Sequence, residues 1–226
     1  MLTKIYVLIT LFLLLPTTST AQLSIEHFGN LNVNAGLTRV MNDATRAASK
    51  KAPDGSYRDG AKYRTTSNNT KQNRQALVTL VKKSNPDAVP ELERVLAEND
   101  IIEMFSKDMA PYGLDVGNVA DAVTAFLVAN WMIANQADNP SPSNVAAVRG
   151  NIAHAMGPSM EQLDNRQRQF LAELLIYQTM FAIGARTAAT TPERSQILAD
   201  NTHQSMLSMG LDMRNLQLSD KGLTQK

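Results

Sequence analysis

The chain has 226 residues, with 22 Lys or Arg against 21 Asp or Glu, so its formal charge is close to neutral. Hydrophobic residues make up 43% of it, which is enough for one folded core in a chain of this length. It contains no cysteine, which excludes disulfide bonds, thiolate metal sites and a cysteine nucleophile.

The first residues have the pattern of a secretory signal peptide, at residues 1–21. Lys4 supplies a positive charge near the start, residues 5–15 form an apolar run that Pro16 ends, and Ala21 closes a polar stretch of small residues. The apolar run is shorter than the ~20 residues with which a helix crosses a bilayer. We therefore expect an exported protein, periplasmic or extracellular, with no transmembrane anchor after processing.

Residues 22–70 are predicted to form a flexible basic flank. They are poor in large apolar side chains, and Ala-Pro-Asp-Gly at residues 52–55 favours a turn. One short helix with a thin apolar stripe is predicted inside this flank, at residues 37–49. Residues 71–226 are predicted to be a single helical domain with a short C-terminal strap.

Apolar side chains at helical spacing predict an all-α fold, a single irregular bundle of five to six helices. The third helix is apolar on nearly every side, which places it at the centre of the bundle with the fifth beside it. Ser143, Asp164 and Thr191 are the expected N-caps of the last three helices. The six helices are expected at residues 72–83, 90–110, 118–137, 143–156, 164–189 and 191–209, before an extended strap at residues 216–226.

Two of the expected helix ends share one sequence pattern. Gly113 and Gly210 are each followed by Leu-Asp, and in each case an Asn comes five residues after the Gly. A glycine in the left-handed conformation, followed by a leucine that folds back onto the last turn, ends a helix. We interpret the pattern as two copies of one helix stop rather than as a gene duplication, because the flanking helices do not align.

The charges are divided unevenly along the chain. Residues 39–83 carry 11 Lys or Arg and 3 Asp, whereas the residues from 84 onward carry 17 acidic and 10 basic ones. Such polarity can recruit a protein partner or an anionic surface, such as lipid headgroups or nucleic acid. The alternative is that the basic segment 39–83 lies against the acidic helices of its own domain or is solvated.

No catalytic motif is present. The sequence has no His-Glu-x-x-His zinc motif, no Gly-x-Ser-x-Gly elbow and no phosphate-binding glycine loop. Asp200 and His203 have the spacing of half a di-iron motif without a second copy, which favours a hydrogen bond on a helix surface. Met206, Met209 and Met213 resemble soft copper ligands, but methionines spread over every helix favour core packing. We assign no catalytic, cofactor-binding or metal-binding residue, and we predict no cofactor.

Asp115, Asn118 and Asp121 recur every three residues before and within the third helix. Oxygen ligands for a cation are one interpretation, but calcium-binding loops place their ligands in steps of two. Capping at the start of the helix, with Asp121 in its first turn, explains the pattern more simply.

Several short motifs, taken together, resemble a known family. They are Tyr112-Gly113-Leu114, Asn118-Val-Ala-Asp121-Ala122 at the start of an apolar helix with Trp131, Arg166-Gln167 and Glu173 on a later helix, and Gly210-Leu211-Asp212 before a Leu-rich tail. This order is similar to an uncharacterised family of exported bacterial proteins classed as a domain of unknown function. The resemblance covers residues 84–223 and implies an all-helical exported domain, without an activity or functional residues.

The leading hypothesis is a non-catalytic binding, adaptor or envelope-associated protein. One alternative is a periplasmic or secreted hydrolase, for which Asp121, His154, Arg166 and Glu173 are candidates if they converge in one cleft. For Arg166 and Glu173 the simpler explanation is a pair across one helical turn, in which Arg166 or Gln169 contacts Glu173. A further alternative is an immunity-type inhibitor of a toxin that acts on the cell envelope.

Overall fold

The computed structural model describes residues 61–226. The predicted signal peptide, the short helix at 37–49, the turn at 52–55 and most of the flank lie outside these residues. The described part confirms the all-α class, with seven α-helices and one small hairpin. They are α1 Ser67–Ser84, α2 Val89–Glu98, α3 Ile101–Met109, α4 Val119–Ala134, α5 Pro142–Met160, α6 Asn165–Ala188, α7 Pro192–Ser208, β1 Leu216–Ser219 and β2 Gly222–Gln225.

Helices α4 and α6 form the centre of the bundle. Every residue of α4 except Trp131 is buried, as its apolar sequence predicts. Helix α6 packs along one side of α4, α5 and α7 pack on its other sides, and α1 and α3 cover α6. Full burial of a Val, Leu, Ile or Phe side chain contributes about 1.5–3 kcal/mol, so this shared core stabilises the whole arrangement. No helix within residues 61–226 combines the length and the apolar character needed to cross a membrane.

The prediction of one helix over residues 90–110 is wrong, because the chain breaks at Asn99 and Asp100. Asn99 has extended backbone angles, φ −133° and ψ 137°, and ends α2. The Asp100 carboxylate then accepts a hydrogen bond from the Glu103 N–H at 3.1 Å and caps α3. The break allows apolar side chains on both sides of it, such as Leu92 and Phe105, to reach the core.

Helix α5 differs from its prediction at both ends. The N-cap is Ser141 and not Ser143, since the Ser141 Oγ accepts from the Asn144 N–H at 3.2 Å. The expected stop at Gly157 and its following proline is also wrong, because the helix continues to Met160. Met160 is completely buried, so the extra turn adds apolar burial to the core, which offsets the helix hydrogen bond that proline cannot donate. The predicted caps Asp164 and Thr191 are confirmed.

Both predicted helix stops are confirmed. Gly113 and Gly210 have left-handed backbones, with φ 69° and 83°. The N–H of each following leucine, Leu114 and Leu211, donates to a carbonyl in the last turn, at 3.3 and 2.9 Å. Both leucine side chains are buried, which is the apolar contact expected of this type of helix end.

The residues predicted as a strap form an antiparallel hairpin, in which Leu216 pairs with Gln225 and Ser219 with Gly222. The Trp131 indole N–H donates to the Leu216 carbonyl at 3.0 Å and ties the hairpin to α4. Gly222 has φ 91° and lies so close to α5 that a Cβ would be 2.6 Å from the Asn151 amide nitrogen. Only glycine fits there without a shift of its neighbours.

Candidate functional site

The four residues considered for a hydrolase have separate surroundings. Asp121 in α4 and Glu173 in α6 are buried, whereas His154 in α5 is exposed. Arg166, in the first turn of α6, is exposed and donates from Nη2 to the Gln72 Oε1 at 2.9 Å. No hydrogen bond or ion pair joins any two of the four, and each of the two carboxylates has its own set of donors.

Asp121 is completely buried and forms an ion pair with the half-buried Arg149. Arg149 of α5 donates from Nε to Oδ1 at 2.5 Å and from Nη2 to Oδ2 at 3.1 Å. The Asp115 backbone N–H also donates to Oδ2, at 2.9 Å. Asp115 and Asn118 cap the turns around it, since they accept from the Gly117 and Ala120 N–H groups at 3.2 and 2.9 Å. Asp115 and Asn118 of the recurring pattern therefore cap turns, and Asp121 links α4 to α5 and to the preceding loop.

Glu173 is the centre of a polar joint between α1 and α6. It is 1% exposed. Its Oε1 accepts from the Thr70 hydroxyl at 2.7 Å and from the Gln169 amide at 2.8 Å, and its Oε2 accepts from the Asn73 amide at 2.8 Å. The pair of Gln169 with Glu173 is as predicted, whereas Arg166 does not take part. Sequence analysis missed Thr70 and Asn73, although their spacing of three residues places both on one face of α1.

Gln169 extends this joint to the start of α1. Its Oε1 accepts from the Thr66 N–H at 3.2 Å and from the Asn69 amide at 3.0 Å. Tyr63 lies beside the same joint and donates its hydroxyl to the Val116 carbonyl. Burial, followed by the charges of Glu173 and a neighbouring aspartate, raises the pKa of Tyr63 far above its usual range. The phenol is therefore held neutral and serves as a hydrogen-bond donor.

The residues of the two patterns considered for metals contact other protein groups. Asp200 accepts from the Arg214 Nη2 at 2.5 Å and from the Gln196 amide at 2.9 Å, so its expected bond to His203 is wrong. Hydrogen bonding by Arg214 lowers the pKa of the Asp200 carboxyl. Met206 is buried in the apolar core, together with Met213 and partly Met209. Within residues 61–226, no three His, Asp or Glu side chains are grouped closely enough to hold a metal ion.

A charged surface forms where the chain before α1 crosses the start of α6. The Arg64 N–H donates to the Asn165 Oδ1 at 2.6 Å, and the Asn165 amide donates back to the Arg64 carbonyl at 2.9 Å. Arg168 donates from Nη1 to the Lys62 carbonyl at 3.1 Å and from Nε to a carbonyl at the end of α5 at 3.0 Å. These bonds place the side chains of α6 next to the basic segment, about 100 residues away in sequence.

We define the basic face as Arg64, Lys71, Arg166 and Arg168. The first three are exposed and Arg168 is half-buried. The side chains of Arg166 and Arg168 have neutral hydrogen-bond partners, and none of the four is paired with a carboxylate of the described residues 61–226. Residues 61–83 contain six Lys or Arg and no Asp or Glu. Asp164, a carboxylate at the start of α6, accepts from the Gln167 N–H at 2.8 Å and caps the helix.

Residues 61–226 thus form an all-α protein with buried polar networks and a cationic face at the surface. The chain belongs to a family of unknown function, DUF6683, whose sequence pattern matches residues 3–226. This confirms the resemblance to an uncharacterised family and extends it from residues 84–223 to nearly the whole chain. No curated protein and no solved structure matches the chain with significant similarity.

Proposed function

We propose that this protein is an exported, non-catalytic binding protein that attaches to an anionic component of the cell envelope. Its contact region is the basic segment 39–83 together with the basic face. The observation that carries the proposal is that three of the four cations of the basic face are exposed and that none of the four is paired with a carboxylate of residues 61–226. Cations without a carboxylate partner attract an anionic partner more strongly than cations already neutralised within the fold.

The internal carboxylates support a binding role more than a catalytic one. A general acid or base must reach a substrate proton within about 3 Å. Asp121 is completely buried against Arg149, and Glu173 is buried among three donors. Both groups have a clear structural use, because each holds two helices together. Of the two remaining candidates, Arg166 bonds to Gln72. His154 is exposed, and no carboxylate of residues 61–226 is paired with it.

The predicted signal peptide supports a partner in the cell envelope. Residues 1–21 have the charge, apolar run and small-residue ending of a signal peptide. A processed protein would meet envelope lipids, glycans and proteins before it meets nucleic acid. Mass spectrometry of the cell-fractionated protein tests this step. A first residue near Gln22 supports export, and a cytosolic chain that retains Met1 contradicts it.

Retention on washed envelope membranes tests the binding role. Deletion of residues 39–83 would remove α1, so point variants are preferable. We expect Arg64→Gln with Lys71→Gln to reduce retention about 30-fold, because each cation near an anionic surface contributes a factor of about five. The matched control is Arg194→Gln with Lys221→Gln, which removes two exposed cations outside the basic segment. Equal retention of both double variants and the parent would refute the proposal.

A further inference from the structure

We infer that the anionic partner is a phospholipid bilayer and that Arg166, from α6, completes the surface that adsorbs to it. This inference rests on the proposed function and makes it specific. Arg166 is exposed, its guanidinium reaches the Gln72 Oε1 at 2.9 Å, and Gln72 follows Lys71 in α1. Arg166 of α6 therefore lies beside α1, in contact with the residue that follows Lys71.

The chemistry of the basic face suits phosphate. A guanidinium presents a planar fork of N–H donors that matches a phosphate group, and an ammonium acts as a compact point charge. The hydrogen bonds of Asn165 with the Arg64 backbone and of Arg168 with the Lys62 carbonyl fix the backbone below these side chains. The charged ends of Arg64, Lys71 and Arg166 remain exposed.

The basic face has no exposed apolar anchor. Among residues 61–226 the exposed large hydrophobic side chains are Ile197 and Leu207, and both lie on α7. Specific protein interfaces depend on a buried core of aromatic and aliphatic anchors inside a polar rim. A surface built from cations alone is better suited to a delocalised anionic layer, which offers many phosphates and no pocket.

Single-stranded nucleic acid is disfavoured by the same observation. Proteins that bind it combine a basic groove with aromatic side chains on which the bases stack. Tyr63 and Phe170 are aromatic residues close in sequence to the basic face, and both rings pack against the core. The Tyr63 hydroxyl is also bonded to the Val116 carbonyl. Both rings therefore take part in core packing.

Adsorption of this kind is electrostatic and shallow. Each Lys or Arg near an anionic membrane surface increases the partition coefficient about fivefold, and the attraction decays within a Debye length of about 8 Å at physiological salt. We expect the protein to bind phosphatidylglycerol vesicles at low salt, to leave them at high salt, and not to insert into the bilayer.

Co-sedimentation of the purified full chain with vesicles tests the inference. One set of vesicles contains equal amounts of phosphatidylglycerol and phosphatidylcholine, and the other contains phosphatidylcholine alone. We expect binding to the first set only. Arg166→Gln should lower the partition coefficient about fivefold, and Arg166→Gln combined with Arg64→Gln and Lys71→Gln about 100-fold or more. Arg166→Lys keeps the charge and should bind as the parent does.

Arg194→Gln with Lys221→Gln again serves as the control and should leave vesicle binding unchanged. Thermal unfolding by circular dichroism shows whether each variant is folded, and Arg166→Lys separates charge from shape. Equal binding to both vesicle types, or an Arg166→Gln variant that binds like the parent, overturns the inference. Binding to an oligonucleotide without binding to vesicles overturns it in favour of nucleic acid.

The inference and the proposed function fail in different ways. If washed envelopes retain the protein but phosphatidylglycerol vesicles do not, the partner is another envelope component and only the inference is wrong. If neither retains it, the proposed function is wrong as well.

Discussion

Removal of the Asn73 amide tests the joint between α1 and α6. Asn73 is 8% exposed and donates to the Glu173 Oε2 at 2.8 Å. Asn73→Ala leaves this buried carboxylate oxygen without its donor. Hydrogen bonds to charged groups contribute about 1.5–3 kcal/mol, and an unsatisfied buried charge is costly to keep. We therefore expect the free energy of unfolding to decrease by about 1.5–3 kcal/mol.

Urea unfolding followed by circular dichroism measures this change, and the midpoint should decrease without a change in slope. In thermal unfolding the same loss corresponds to a Tm lower by several degrees, since 1 kcal/mol shifts Tm by about 2–4 °C in a domain of 150–250 residues. The matched control is Gln75→Ala, an exposed position of the same helix, which should stay within about 0.5 kcal/mol of the parent.

A double-mutant cycle with Glu173→Ala decides whether the two side chains act together. When both partners are absent, Asn73→Ala should have little further effect, because no buried carboxylate then needs its donor. A coupling energy of about 1 kcal/mol or more supports the joint. Additive effects, or an Asn73→Ala variant as stable as Gln75→Ala, would refute the reasoning.

Three further predictions concern other parts of the fold. Arg149→Leu leaves the buried Asp121 carboxylate without its ion-pair partner and should lower the free energy of unfolding, measured in urea, by about 3–5 kcal/mol. Adding Asp121→Asn should recover part of that loss. Equal losses in the single and the double variant would contradict the ion pair. An unfolded tyrosine ionises near pH 10, whereas the folded Tyr63 keeps its proton to higher pH, so stability should fall as pH rises above about 10, by at most about 1.4 kcal/mol per pH unit. Tyr63→Phe should make that alkaline decline shallower, and an unchanged slope would rule out a contribution from this phenol. Gly222→Ala should lower Tm through its left-handed backbone and the close approach of α5, whereas Gly157→Ala in open helical space should keep or raise Tm; the opposite order would contradict the geometry.

Several helix caps and helix stops were predictable from the sequence. The caps at Asp164 and Thr191 and the stops at Gly113 and Gly210 depend on a few consecutive residues, and the structure has them where expected. The central helix could also be predicted, because a helix that is apolar on every side must be surrounded.

The break between α2 and α3 was missed for a physical reason. The apolar spacing continues across Asn99, so periodicity alone favours one long helix. The overlooked signal was Asp100 followed three residues later by Glu103, which is the arrangement of an N-cap with an acidic residue in the first turn. The extended Asn99 then turns α3 in a new direction, a choice that depends on core packing.

The joint and the basic face could not be predicted, because each is assembled from residues about 100 positions apart. The number of Lys and Arg residues along the sequence identified the basic segment 39–83, but it did not predict that Arg166 lies near this segment. Sequence spacing suggested that Arg166 or Gln169 pairs with Glu173, and the carboxylate accepts from Gln169 together with Thr70 and Asn73. Arg166 is exposed and bonds to Gln72 of α1 instead, a contact that sequence spacing does not predict.

The joint and the basic face are two sides of the same helix pair. Thr70 and Asn73 of α1 point inward to Glu173, and Lys71 between them is exposed. The inward contacts fix how α1 lies on α6, and this placement brings Arg166 within hydrogen-bond distance of Gln72, the residue after Lys71. A loosened joint should therefore weaken adsorption even when every cation is retained. Asn73→Ala keeps all four charges of the basic face, so reduced vesicle binding by a folded Asn73→Ala protein would show that the buried network sets the geometry of the surface.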